Sequence, residues 1–236
     1  MKKTVCIATY NGESYIEKQL QSVITQLSNG DELIISDDSS NDNTLKIARK
    51  SGFNNLIVLE GNSFYSPVLN FENALKYATG DIVFLSDQDD IWVDNKILIM
   101  SKYLRFYDLV VSDAVIINEY DKIISPSFYK IRNSGSGFIK NLYKNTYTGC
   151  CMAFNRKILV KALPFPSKIH MHDWWLGMVA EMYGTTYFCN EKLVRYRRHS
   201  SNASPNCGKS IYSTLDMIKF RYKMIKALSE RYTFNK

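Results

Sequence analysis

Apolar and polar positions follow two rhythms along the first hundred residues. Short apolar runs at 3–9 (KTVCIAT), 31–38 (DELIISDD), 55–61 (NLIVLEG) and 81–87 (DIVFLSD) read as strands. The fourth is almost continuously apolar, which suits a strand covered on both faces. Between the runs, apolar residues recur every three or four positions. In 12–27 these are Tyr15, Ile16, Leu20, Val23, Ile24 and Leu27; two further helical segments close on Gly52 and Gly80. Strand–helix alternation of this kind predicts an α/β fold: a mostly parallel sheet with flanking helices.

The second half is less regular. Residues 108–118 and 147–155 read as strands, and 172–184 as a helix ending on Gly184. Residues 185–199 suggest two short strands with a turn at Asn190–Glu191. Residues 125–146 have little periodicity and are expected to form a mobile lid or acceptor loop. From Lys209 onward, Ile211, Leu215, Ile218, Tyr222, Ile225 and Ser229 track one helical face. The expected organisation is one domain over residues 1–208 and a basic amphipathic helical tail over 209–236.

Length and charge refine this picture. The chain has 236 residues, ample for a sizeable core, and a formal net charge of +7. A modest basic excess is either solvated surface or the mark of an anionic partner other than nucleic acid. The tail carries Lys219, Arg221, Lys223, Lys226 and Arg231. It either lies on an anionic membrane surface or packs on the domain with its lysines in water. The apolar run after Lys3 is too short for a secretory signal, and no stretch approaches the ~20 apolar residues of a membrane span. The expected location is the cytoplasm, with the inner face of the plasma membrane as a further option. Five cysteines include no C-x-x-C pair, so buried reduced thiols are expected, not a zinc knuckle or a disulfide framework.

The candidate chemistry lies in three polar loops, TYNGE, SDDSSND and SDQDD, at the carboxyl ends of strands one, two and four. In parallel sheets that edge binds ligands. Asp87, Asp89 and Asp90 crowd four positions, and like charges so close raise one another's pKa unless a cation compensates. Asp87 and Asp89 sit two apart, on one side of an extended segment. Mg²⁺ and Mn²⁺ favour such carboxylates and often bridge a diphosphate. The competing reading is an acidic turn capping the next helix through Asp90 and Asp94. Asp38 could equally form an Asx-turn, Asp173 could merely cap its helix, and Trp174 and Trp175 could be core.

Three ordered segments, VCIATYNGESYIEKQLQSV, ISDDSSNDNT and GDIVFLSDQDDIWVDNK, resemble glycosyltransferase family 2, inverting enzymes with the GT-A fold. LSDQDDIW is most similar to the bacterial rhamnosyltransferase-like branch that builds O-antigens and capsules. The resemblance spans about residues 3–200. It implies that SDQDD is a D-x-D element, with Asp87 on the donor ribose and Asp89 on a divalent metal, Mn²⁺ or Mg²⁺. It implies that Thr9, Tyr10 and Glu13 line the nucleoside pocket and that Asp38 accepts from a pyrimidine N3–H. Asp173 in HDWW would be the catalytic base, Trp174 and Trp175 an acceptor-sugar platform, and His199 a second metal ligand. Arg195, Arg197 or Arg198 would offset diphosphate charge.

The Q-x-x-R-W element of the processive synthases is absent, which favours one sugar per encounter. The implied reaction moves one sugar from dTDP-rhamnose or a UDP-hexose to a hydroxyl of a growing bacterial surface polysaccharide, on a polyprenyl-diphosphate-linked acceptor. Two alternatives stand beside it. One is a non-catalytic nucleotide-sugar-binding subunit. The other is a sugar nucleotidyltransferase, against which TYNGE is too poor in glycine.

Overall fold

The four apolar runs of the first half are strands in the computed structural model, which describes residues 1–200, 202 and 212–234. They are β1 (Lys3–Thr9), β2 (Glu32–Asp37), β3 (Leu56–Leu59) and β4 (Ile82–Asp87), joined by α1 (Ile16–Ile24), α2 (Thr44–Arg49) and α3 (Pro67–Tyr77). Their order in the sheet is β3-β2-β1-β4, all parallel. Val5, Ile7, Leu33, Ile35, Val83 and Leu85 are fully buried, because helices cover both faces. Ser66 caps α3 by accepting from the Leu69 N–H at 3.5 Å, and Pro67 occupies the first turn.

After β4 come β5 (Ile91–Trp92), α4 (Lys96–Tyr103), β6 (Leu109–Asn118) and β7 (Ile123–Ser125). The chain continues through α5 (Phe128–Arg132), α6 (Phe138–Tyr143), a 3₁₀ turn at Gly149–Cys151, β8 (Met152–Asn155) and α7 (Arg156–Ala162). It ends with α8 (His172–Tyr183), β9 (Thr186–Arg198) and α9 (Thr214–Phe234). The sheet extends β4-β8-β6-β9-β5, with β7 on β6. β8 is antiparallel to β4 and β6, so the whole sheet is mixed. α8 is buried nearly all round, as expected of a helix apolar on every side. Gly177 on it leaves room for the Tyr147 ring, which a Cβ would strike.

Several expectations for the second half are corrected. Residues 125–146 are not a structureless loop; they hold α5 and α6. Asp113 orders them, accepting from the Ser127 hydroxyl at 2.6 Å and the Tyr129 N–H at 2.9 Å. Asn141 is buried and donates to the Gly135 carbonyl at 2.9 Å while accepting from the Thr146 N–H at 3.0 Å. Residues 186–198 form one strand, not two. Asn190 and Glu191 are a bulge: Ser112 pairs with Cys189 and Asp113 with Lys192. Both tryptophans are core, with Trp174 Nε1 donating to the Asn141 carbonyl and Trp175 Nε1 to that of Ala162, each at 2.9 Å. They form no acceptor platform here.

α9 packs one face on the molecule through buried Met224, Ala227 and Leu228. Arg231 donates to the Leu163 carbonyl at 2.8 Å and lies over the Trp175 ring. The start of the expected tail, Lys209 to Ile211, lies outside the described residues, as does Cys207. Cys6, Cys150, Cys151 and Cys189 are buried free thiols. No helix among the described residues is long and apolar enough to cross a membrane.

Candidate active site

The loops after β1, β2 and β3 are tied together at the carboxyl edge of the sheet. Thr9 is buried, and its hydroxyl donates to Asp37 at 2.7 Å, while its carbonyl accepts from the Asp38 N–H at 3.0 Å. Asp37 also accepts from the backbone and hydroxyl of Ser40, so it supports the second loop. Asp38 forms no Asx-turn. Its carboxylate reaches across to the third loop and accepts from the N–H groups of Phe64 at 2.6 Å and Ser66 at 3.1 Å. Glu13 accepts from the backbone and side chain of Asn43, both at 2.9 Å, joining loop one to loop two. Tyr10 is half exposed, and its backbone makes two hydrogen bonds with the Gln88 amide, both at 2.9 Å. One non-glycine residue in each of these loops, Asn11, Ser39 and Tyr65, holds a positive φ. Non-glycine residues in that region gather where a site over-determines the backbone.

The acidic turn after β4 meets the end of β9. Burial and the charges of Asp90, Asp89 and Asp173 push the Asp87 carboxyl well above the usual carboxylate range. Burial and Asp89 push Asp90 up to about 8. Asp90 is not a helix cap: it accepts from the Arg197 N–H at 2.9 Å, while Asn95 sits at the start of α4. Asp89 Oδ2 lies 2.7 Å from His199 Nε2 and accepts from Asn202 Nδ2 at 2.9 Å.

Three nitrogen-bearing side chains surround this turn. Lys96 is fully buried, donates to the Cys150 carbonyl at 2.6 Å and stands 4.0 Å from the Trp92 ring centre. Burial pulls its pKa down to about 8, against the pull of nearby acidic groups. The Arg197 guanidinium is also buried, donating to the Asp89 carbonyl at 2.7 Å and to Asn118 and Glu119, and pairing with Asp121. It is therefore committed to holding the turn and does not reach outward to a diphosphate. His199 is the third.

This donor set fits a hard divalent cation. Two carboxylates, Asp87 and Asp90, whose charged forms are disfavoured are what a metal would relieve. Asp87, Asp90 and Cys150 offer atoms within 4.8 Å of one another. Two features weigh against that trio as the whole site. The Cys150 thiol stays protonated, its pKa raised by Cys151 and burial. Asp90 and Cys150 are also sealed from solvent at 1% and 0% exposure, where no donor can reach. Asp89 and His199 retain 13% and 9% side-chain exposure.

Asp173 comes to the same place from the other half of the chain. It lies in the first turn of α8 and is buried, accepting from the Trp174 N–H at 2.5 Å and Asn145 Nδ2 at 3.5 Å. Burial raises its pKa to about 6, opposed by those contacts and by Arg132. Its neighbour His172 stacks on Phe71 of α3 at 4.1 Å, with both ring nitrogens buried and unpartnered. Burial lowers its pKa to about 3, so the ring is neutral.

The fold thus brings Asp87, Asp89, His199 and Asp173 to one edge, with Thr9, Tyr10, Glu13 and Asp38 in the adjoining loops. Thr9, Glu13 and Asp38 spend their side chains on loop-to-loop bonds. Gln88, Lys96, Asn145 and Cys150 escaped the sequence reading. Gln88 stood inside the quoted motif, and only its amide pairing shows its part. Lys96 and Asn145 look like surface residues in sequence; Lys96 gains meaning from its burial and Asn145 from its contact with Asp173.

Comparison with known proteins shows the family and the fold. Residues 4–163 match the model of Glycosyl transferase family 2. The chain is 26% identical over 228 residues to the Escherichia coli UDP-Glc:alpha-D-GlcNAc-diphosphoundecaprenol beta-1,3-glucosyltransferase WfgD, covering 91% of this chain and 84% of that one. It is 28% identical over 211 residues to the Shigella flexneri dTDP-rhamnosyl transferase RfbG, covering 83% and 72%. Among solved structures, Staphylococcus aureus TarS 1-349 in complex with UDP-GlcNAc superposes with a TM-score of 0.74 at 19% identity, over 95% of this chain and 65% of that one. That likeness assigns the GT-A fold. Since the family match spans well over half of the chain, this protein belongs to glycosyl transferase family 2 and is a glycosyltransferase.

Proposed function

We propose that the chain moves one sugar, with inversion, from a nucleoside-diphosphate sugar to a hydroxyl of a growing bacterial surface glycan held on a polyprenyl diphosphate. dTDP-rhamnose and a UDP-hexose are the candidate donors, as two relatives' names indicate. The nucleoside would sit on Thr9, Tyr10 and Glu13. Asp38 keeps lone pairs for a pyrimidine N3–H after serving Phe64 and Ser66, since a carboxylate has about four acceptor sites. Asp87 would take the ribose. Asp89 and His199 would hold Mn²⁺ or Mg²⁺, which as a Lewis acid would stabilise the leaving diphosphate. The mycobacterial glucosyl-3-phosphoglycerate synthase, at a TM-score of 0.58, was crystallised with Mn²⁺ and UDP.

Asp173 would orient the acceptor hydroxyl and take its proton as the new carbon–oxygen bond forms and the bond to the diphosphate breaks. The observation that carries this reading is the approach of Asp173 to Asp87 across the Gly149–Cys150 turn: a Cβ on Gly149 would lie 3.7 Å from that of Asp173, and the Cys150 thiol lies within 4.8 Å of the Asp87 carboxylate. A base with a pKa of about 6 is stronger than a free carboxylate yet mostly ionised at neutral pH.

The test is to incubate purified protein with Mn²⁺, each candidate donor and a GlcNAc-diphospholipid acceptor, and to read the product's anomeric configuration by NMR. The reading requires transfer with inversion for at least one donor. Donor hydrolysis without transfer, or retention of configuration, would sink it.

A further inference from the structure

α9 has an outer face as well as the inner face already described. Leu215, Ile218, Tyr222 and Ile225, at three- and four-residue spacing, form one stripe pointing away from the core, each 51–69% exposed. Lys219, Lys223 and Lys226 run along its edge, and Lys168 stands beside them around a shallow depression. Lys219 and Lys226 lie 3.9 Å from Asp216 and Glu230 and remain mostly exposed. α6 adjoins this face, since Arg221 donates to the Tyr143 carbonyl at 2.9 Å. There Ile139 and Tyr143 are 75% and 74% exposed, next to Lys140 and Lys144.

We infer that this α6–α9 face docks on the surface of an anionic lipid bilayer, its apolar stripe entering the interface and its lysines meeting the headgroups. Long lysine stems can lie along apolar surface while the ammonium stays in water, which is the arrangement an interfacial helix needs. A second copy of the chain is a poor occupant, because a twofold contact through this stripe would set lysines against lysines. The face is also joined to the reacting edge. α6 holds Trp174 through the Asn141 carbonyl, and Asn145, just beyond it, contacts Asp173. Docking would therefore bring the reacting edge toward the lipid headgroups. This consequence rests on the lipid-linked acceptor proposed above; the docking itself does not.

The experiment is co-flotation of the full chain with phosphatidylcholine vesicles, with and without phosphatidylglycerol, at low and high salt. Wild type should float with the anionic vesicles and be released by salt. A Lys219→Gln, Lys223→Gln, Lys226→Gln variant should bind on the order of a hundredfold more weakly, at about 1 kcal/mol or fivefold per basic residue near the surface. Ile218→Ser with Tyr222→Ser should weaken binding without changing its salt dependence. Unchanged circular dichroism and unchanged turnover on a short soluble acceptor guard against misfolding.

Equal flotation of wild type and the glutamine variant, or no flotation of wild type, overturns the docking. So does a salt-resistant dimer that Ile218→Ser dissociates. Vesicle binding without transfer to any lipid-linked acceptor would leave docking standing and fell the acceptor reading. Transfer to such an acceptor without vesicle binding would do the reverse.

Discussion

Lys96 is the residue that best explains how this chain tolerates its acidic turn. Its ammonium sits behind the carboxylates, against the Cys150 carbonyl and the Trp92 ring, sealed from water. Lys96→Met keeps the length but leaves that carbonyl unpaired, a loss of about 1–3 kcal/mol. Urea denaturation would measure it, and an unchanged midpoint would contradict the role assigned to the ammonium. Asp173 makes a prediction of a different kind. Its raised pKa of about 6 means that the proposed base is protonated below that value and ionised above it in the free enzyme. Therefore kcat/KM should rise with pH through about 6 and then level. An acid limb nearer 4, the ordinary carboxylate range, would mean that burial does not act on the working base.

At the scale of elements, the first half was legible in the sequence because each strand and helix carries its own period. β1 begins and ends where its apolar run places it. The second half was less legible because its order comes from distant partners. α5 and α6 are short, and Asp113 on β6 and Glu181 on α8 hold them; Gly137 donates to Glu181 at 2.7 Å. The bulge in β9 leaves a polar pair, Asn190–Glu191, that resembles a turn. Only the continued pairing of Val194 with Ala114 shows that the strand goes on. α9 divides its residues between core and solvent, so substitutions on its two faces should differ. Leu228→Ala, at 3% exposure, should cost about 2–3 kcal/mol, and Ile225→Ala, on the outer face, within about 0.5 kcal/mol. Thermal unfolding of both variants checks this; equal effects would mean that the helix does not pack as described.

Across the whole molecule, the site joins two halves that share little local sequence signal. The proposed donor side is written in three contiguous motifs at strand ends, where a parallel sheet places ligands. The opposite side is a single carboxylate, Asp173, whose relation to Asp87 exists only once α8 packs against α3 and the sheet. If Asp89 and His199 hold the cation, excess chelator should abolish transfer, and Mn²⁺ or Mg²⁺ should restore it. Undiminished turnover in chelator would remove both residues from that role. The division of labour between the halves has a sharper test in turnover and calorimetric donor binding measured side by side for wild type and Asp173→Asn. The amide keeps the size and packing of the buried side chain but cannot take a proton. The account predicts a fall in turnover of about 10² to 10⁴ with donor affinity near wild type. A fall of less than about fivefold, far short of the general-base range, or an equal loss of donor affinity, would contradict it.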